Sequence, residues 1–253
     1  MDSWQIAVFA GCCILGSAVQ SVSSFGFAVV LVALTPLFGA DLREVVVLIT
    51  VLVVPNIAIA LWQVRSEVRL RPVAWLLAGV PLGTPFGLYL LAFGPEWLLR
   101  GALGLVLIGV TAEPFLRQRA GPRPESRLWA FVAGVASGAL GAALSAGGPP
   151  VVLYFYGRQW SKQATKAAVT LAFAGTVSWR LIAYILQAPF TGRELLTAGL
   201  ALRGVALWPA VIAGALLGEW AFGTIGQNGF RRAVAAMLIA CGVYQLGVAA
   251  GAW

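Results

Sequence analysis

The stretch Ser145-Ala146-Gly147-Gly148-Pro149-Pro150-Val151-Val152-Leu153 ends one apolar run and starts another with no polar linker between them. Two glycines open the backbone. Two prolines follow, and proline suits the first turn of a helix, where its missing N–H would have had no partner anyway. The stretch reads as a helix end, a break and a new helix start, all inside hydrophobic sequence. Unpaired backbone groups are costly in hydrocarbon, so such a break is expected to line a cavity.

The composition places this break in a membrane. Of 253 residues, 60% are hydrophobic and 10% charged, against about 25% charged in soluble domains. The mean hydropathy is +0.89. Such a chain cannot clothe a water-facing surface, so an all-α polytopic membrane protein in a lipid bilayer is expected. The first apolar run follows Asp2 with no basic segment ahead of it and no cleavage-like site, so no secretory signal is expected. There is no histidine, and Cys12, Cys13 and Cys241 lie in apolar runs. Neither a disulfide framework nor a metal or cofactor site is expected. The net charge of +8 is read as a topology signal, not as a footprint for nucleic acid.

Apolar runs occupy residues 4–22, 27–38, 45–62, 73–93, 97–116, 128–144, 149–156, 167–186, 195–217 and 233–253. The run at 27–38 would make a helix of roughly 18 Å, well short of a ~30 Å hydrocarbon core. The run at 149–156 is shorter still. Laying the second half on the first pairs Phe9 with Phe131, Gly16 with Gly138, Ser23 with Ser145 and Gly26 with Gly148. Val29-Val30-Leu31 then falls on Val151-Val152-Leu153, and further on Gly83 and Gly87 fall on Gly214 and Gly218. The chain divides into a first transmembrane repeat at 1–118, a cytoplasmic linker at 119–127 and a second repeat at 128–253. Each repeat holds five helical elements, the first two forming a broken or re-entrant pair.

The arginines set the direction. If the first two runs of each half go in and come back, one face collects Arg65, Arg69, Arg71, Arg117, Arg119, Arg123, Arg127, Arg158, Lys162, Lys166, Arg231 and Arg232. The other collects only Arg43, Arg100 and Arg193. If each pair were instead one crossing helix, the basic residues would divide almost evenly. The positive-inside rule favours the first arrangement and makes the basic face cytoplasmic, with both termini outside. An odd number of direction changes per half makes the repeats inverted.

Inverted repeats bring the two breaks, residues 23–26 and 145–150, face to face near the midplane. A helix N-terminus carries unpaired N–H groups and about half a positive charge. Two such ends in a low-dielectric cavity suit an oxyanion. Ser23, Ser24 and Ser145 add hydroxyls, and Gly26, Gly147 and Gly148, with Pro149 behind them, allow close approach. The alternative is a pair of tightly packed hairpins whose glycines serve contact alone. Arg180 sits deep in its run, where a charge costs at least ~2.5 kcal/mol and usually faces a cavity or a partner. It is read either as counter-ion to an anion or as the partner of a carbonyl or carboxylate. Asn56, beside Pro55, and Ser178 fall at equivalent positions, and both are expected to line the same cavity. Arg203 is expected to reach outward, and most tryptophans, Trp208 among them, to anchor the interfaces. Glu113 and Glu219 are read as interfacial carboxylates or as carriers of a coupling proton.

Three motifs carry a family resemblance: Gln20-x-x-x-x-Phe25-Gly26-Phe27, Gly147-Gly148-Pro149-Pro150-Val151 and Pro81-x-x-x-x-x-Gly87. Together they resemble the sulfite exporter TauE/SafE family over nearly the whole chain. The resemblance implies a multi-pass protein of the bacterial inner membrane that exports sulfite, an organosulfonate or another small anion. It adds Gln20 to the candidate substrate-binding residues. Alternating access, with a coupling proton or sodium, is the expected mechanism, and a passive anion channel is the rival. An intramembrane enzyme is not expected, because no His and no deep carboxylate pair supplies a nucleophile–base or metal constellation. The sequence leaves the oligomeric state open.

Overall fold

The computed structural model describes residues 3–23, 26–34, 41–67, 69–71, 73–117, 126–156, 158, 160–224, 236, 239, 240 and 242–251. Their regular structure is helical throughout, with no strand among the described residues. The first half holds α1 (Ser3–Ser23), α2 (Phe27–Ala33), α3 (Leu42–Leu52), α4 (Val54–Gln63), α5 (Ala74–Phe93) and α6 (Glu96–Arg117). The second holds α7 (Arg127–Leu144), α8 (Gly148–Tyr156), α9 (Lys162–Leu186), α10 (Ala188–Thr191), α11 (Ala198–Ala206) and α12 (Trp208–Thr224). Residues 242–249 are also helical. Several helices start where a polar residue meets an apolar run. The side chains of Asp41, Ser161 and Thr197 accept from the N–H of Arg43, Ala164 and Leu200 at 2.9, 3.1 and 3.2 Å, each satisfying a donor the helix leaves unpaired.

This is a membrane protein. Leu42–Gln63, Ala74–Phe93, Arg127–Leu144, Gln163–Leu186 and Ala198–Gly218 are each long and apolar enough to cross a bilayer. Two of these spans bend at proline. Pro55 separates α3 from α4 at Val53, and its missing N–H leaves the Val51 carbonyl without its helical donor. The indole Nε1 of Trp208 donates to that carbonyl at 3.1 Å. Trp208 therefore plugs a hinge, where the sequence suggested an interface anchor. A second bend, at Leu207 ahead of Pro209, separates α11 from α12. By contrast, α5 runs on through Pro81 and Pro85.

Each break turns the chain back on itself. The α2 side chains Phe27 and Leu31 lie against Gly16 of α1. The Tyr154 hydroxyl near the end of α8 donates to the Ser126 carbonyl, just ahead of α7, at 3.4 Å. So α8 returns to the end from which α7 came. The long helices pack across the halves, α5 on α7 and α1 on α12. Glycine makes both contacts possible. A Cβ at Gly79, Gly83 or Gly87 would collide with α7 backbone at Phe131, Val135 or Ala139, and one at Gly214 or Gly218 with α1 backbone at Ile14 or Ala18. Small residues at this spacing let helix backbones touch in a membrane.

Charges separate by end. Lys166 Nζ donates to Gln63 Oε1 at 3.4 Å, Arg65 stacks on Trp62, and Arg158 stacks on Tyr154 and Trp160. At the other end the turn after α5 gathers Arg43, donating to the Gly94 carbonyl at 2.6 Å, and Arg193, donating to the Ala92 carbonyl at 2.9 Å. Arg203 reaches outward to Glu44 at 3.3 Å. The side chains of Glu113 and Glu219 lie outside the described residues.

Candidate functional site

The second break is built from α7's last turn. Ser145 takes the left-handed conformation, φ 53°, which an L-residue holds only when its surroundings enforce it. Two hydroxyls do so. Ser145 Oγ donates to the Val46 carbonyl of α3 at 2.7 Å, and Ser137 Oγ donates to the Gly147 carbonyl at 2.7 Å. Gly147 is required for space, since a Cβ there would come within 2.7 Å of the Ser137 carbonyl oxygen. At the first break Gly26 has φ 125°, a conformation that favours glycine. Its carbonyl accepts from the Val30 N–H at 2.8 Å, the first bond of α2.

Both breaks face one cavity of about 50 Å³. That is far below the ~300–1,000 Å³ of drug-sized sites, and it exceeds the ~10–15 Å³ needed for one water. It suits a small inorganic or organic ion. Gln20, Gly26, Ser145, Gly147, Gly148, Pro149 and Arg180 all line it. Asn56 does not; it lines a neighbouring chamber. Ser178 lies on the exposed face of α9. Ser23 closes α1, and its side chain and the whole of Ser24 lie outside the described residues. Thr84, Ser137 and Thr176, which no sequence motif marks, also line the cavity. Each is a polar residue inside an apolar run, and Thr176 lies one turn from Arg180, so helical spacing alone would have found it.

Arg180 supplies the charge. It is 7% exposed. One terminal nitrogen donates to the Gly141 carbonyl at 2.7 Å. One turn on, the Tyr184 hydroxyl donates to the Ala142 carbonyl at 2.8 Å. These carbonyls belong to the last turn of α7, where the negative end of the helix dipole attracts a cation, and the Gly141 carbonyl also accepts from the Ser145 N–H at 2.9 Å. The carbonyl partner expected of a purely structural arginine is thus present. Yet the Nε–H is buried with no partner, and no carboxylate lines the cavity among the described residues. A guanidinium carries five donors and no acceptor, and the Nε–H is one that the structure leaves unpaired.

The hydroxyls are committed differently. Thr84 donates to the Val80 carbonyl at 2.8 Å and Thr176 to the Phe173 carbonyl at 3.0 Å. With Ser137 and Ser145 also donating to carbonyls, each of these single protons is spent. Donation into the cavity falls to Arg180, Gln20 and the backbone N–H groups of the breaks. Pro149 and Pro150 remove two N–H groups from the start of α8. Arg180 is the one charged side chain among the cavity's described lining residues.

No curated protein and no solved structure matches the chain. A family model does: sulfite exporter TauE/SafE, over residues 8–245. With that match spanning nearly the whole sequence, this membrane protein belongs to the sulfite exporter TauE/SafE family, a transporter family for sulfite-type anions.

Proposed function

We infer that the chain carries small oxyanions of the sulfite and organosulfonate class across the bacterial inner membrane by alternating access. The anion binds between the two breaks and is held by Arg180, Gln20 and the backbone around Gly26, Gly147 and Gly148. The observation that carries this reading is the buried Arg180, which lines a cavity with no carboxylate in its described lining and whose Nε–H has no partner. A buried charge without a counter-ion costs several kcal/mol, and an entering anion offsets that cost.

The inverted-repeat reading is supported by reciprocal packing. The first helix of each half lies against a glycine-bearing helix of the other, α1 on α12 and α7 on α5. In the proposed cycle these two pairs rock about the site. The proline bends at Val53 and Leu207 absorb the movement, exposing the cavity first to one side and then to the other. The basic end faces the cytoplasm. A proton or sodium gradient is the proposed coupling source.

Proteoliposome flux tests the reading. Sulfite or a small sulfonate should cross with saturating kinetics. Arg180→Ala should lower kcat/KM by roughly 10–100-fold, the worth of one or two charge-assisted hydrogen bonds, with the protein still monodisperse. Unchanged flux in that variant would sink the proposed site, and flux linear in concentration would replace the carrier with a channel.

A further inference from the structure

The central cavity has unlike ends. Phe173, Thr176, Val177 and Arg180 all line it from α9, and their spacing puts them on one face of that helix. At a rise of 1.5 Å per residue, Phe173 sits roughly 10 Å along the axis from Arg180. A second chamber, of about 30 Å³, adjoins the Phe173 end. Gln20, Ile57 and Phe173 line both, whereas Arg180 lines only the central cavity. The second chamber also takes in Gln63 and Lys166, so the Phe173 end points toward the arginine-rich end of the bundle.

The charge and the donors lie at the Arg180 end, and they are few. One Arg180 nitrogen already answers the Gly141 carbonyl at 2.7 Å, at the negative end of α7. Thr84, Ser137, Ser145 and Thr176 give their protons to carbonyls, and Pro149 and Pro150 have no N–H to give. Gln20 adds an amide without charge. One positive charge matches one negative charge, and a second negative charge would be buried without a counter-ion. Away from Arg180 the wall is built from the side chains of Val53, Ile57, Phe173 and Val177. An oxygen turned toward that wall would lose its water and gain no donor, whereas a methyl or methylene group would gain by leaving water.

We propose that the site selects a singly charged anion with a short apolar tail. The headgroup lies at Arg180 and the tail runs along Val177 toward Phe173. Short alkanesulfonates are of this kind. Of the two forms of sulfite present near neutral pH, the singly charged hydrogen sulfite meets the charge condition. Sulfate, a dianion with oxygens on every side, does not. The inference rests on the anion-carrier reading above and adds to it a choice of charge and an orientation.

Calorimetric titration of the purified full chain in nanodiscs with sulfite, methanesulfonate, ethanesulfonate and sulfate tests it. Sulfite and both sulfonates should bind, and Arg180→Ala should lose all three, which checks the central reading by itself. Ethanesulfonate should bind roughly fourfold tighter than methanesulfonate, the worth of one buried methylene. Sulfate should bind roughly tenfold or more weaker than methanesulfonate. Val177→Thr keeps the branched shape of the wall and adds a hydroxyl. It should erase the advantage of the ethyl group and leave methanesulfonate affinity unchanged. Sulfate binding as tightly as methanesulfonate would overturn the choice of charge while sparing the central site. Ethanesulfonate no tighter than methanesulfonate in the wild type would overturn the placement of the tail, as would an ethyl advantage that survives in Val177→Thr. No binding by any of the four anions would overturn the central reading itself.

Discussion

The two breaks occupy matching places in the two halves and are built in opposite ways. At the first, glycine supplies the conformation: Gly26 has φ 125°, and no proline stands in the opening turn of α2. The N–H groups of Phe27, Ala28 and Val29 precede the first helical bond, so α2 begins with its donors intact. At the second, Ser145 holds the strained conformation, hydroxyls pin it, and Pro149 and Pro150 delete two donors. The second break is the stiffer and the poorer in backbone N–H. It is compensated from α9 by Arg180, whose counterpart in the first half is Ala58. On the proposed repeat, the two frames have diverged so that one keeps the donors and the other gains the charge.

The largest test of this division moves the charge. Arg180→Lys keeps a cation but loses the planar fork that serves Gly141 and the cavity together. It should retain a few per cent of wild-type kcat/KM in the flux assay, above Arg180→Ala. Activity equal to wild type would mean that charge alone suffices. Next come the glycines, which should fail for different reasons. Gly147→Ala pushes a methyl group against Ser137 and should cost about 1–3 kcal/mol by overpacking. Gly26→Ala forces a side chain into a glycine conformation at a similar cost. Both losses are read as a drop in thermal midpoint, and Ser137→Gly should not rescue the Gly147 variant, because the nearest oxygen the methyl group meets is backbone.

A smaller effect is expected at Ser145. Ser145→Ala removes the bond to Val46 and should lower stability by about 0.5–1.5 kcal/mol, read as a shift in thermal midpoint. Its anion affinity should change little, because that hydroxyl proton is directed away from the cavity. The smallest effect comes from restoring donors. Pro149→Ala with Pro150→Ala returns two N–H groups to the start of α8 and should tighten sulfite binding by roughly 2–5-fold, the worth of a helix terminus to an anion. Weaker binding would show that the prolines position the turn instead.

Much of this architecture was legible in the residues. Gly-Gly-Pro-Pro inside hydrophobic sequence can hardly be anything but a break, and hydropathy finds spans because lipid leaves the backbone few options. Arg180 was legible because a deep charge is costly wherever it points. What the chain does not spell out is where short polar side chains aim. Ser145 and Val46 are 99 residues apart, and no local pattern announces that bond. The pairing of Asn56 with Ser178 failed for a geometric reason. The first-half span bends at Val53 while α9 continues through Val177. Positions that match in sequence therefore turn to different faces, one buried beside the second chamber and the other exposed. The bend at Leu207 and the role of Trp208 escaped because a proline's orphaned carbonyl finds its donor wherever the fold brings one near.

Arg180 also has an electrical consequence. With no carboxylate lining the cavity among the described residues, the proposed site is cationic when empty, neutral with a monoanion and anionic with a dianion. The empty and loaded forms then respond differently to membrane voltage, by about 2.3 kcal/mol per elementary charge per 100 mV, scaled by the fraction of the field the site traverses. With a monoanion, the return of the empty carrier is the step that senses voltage. With a dianion, the empty step still senses voltage and the loaded step does so too, with the opposite sign.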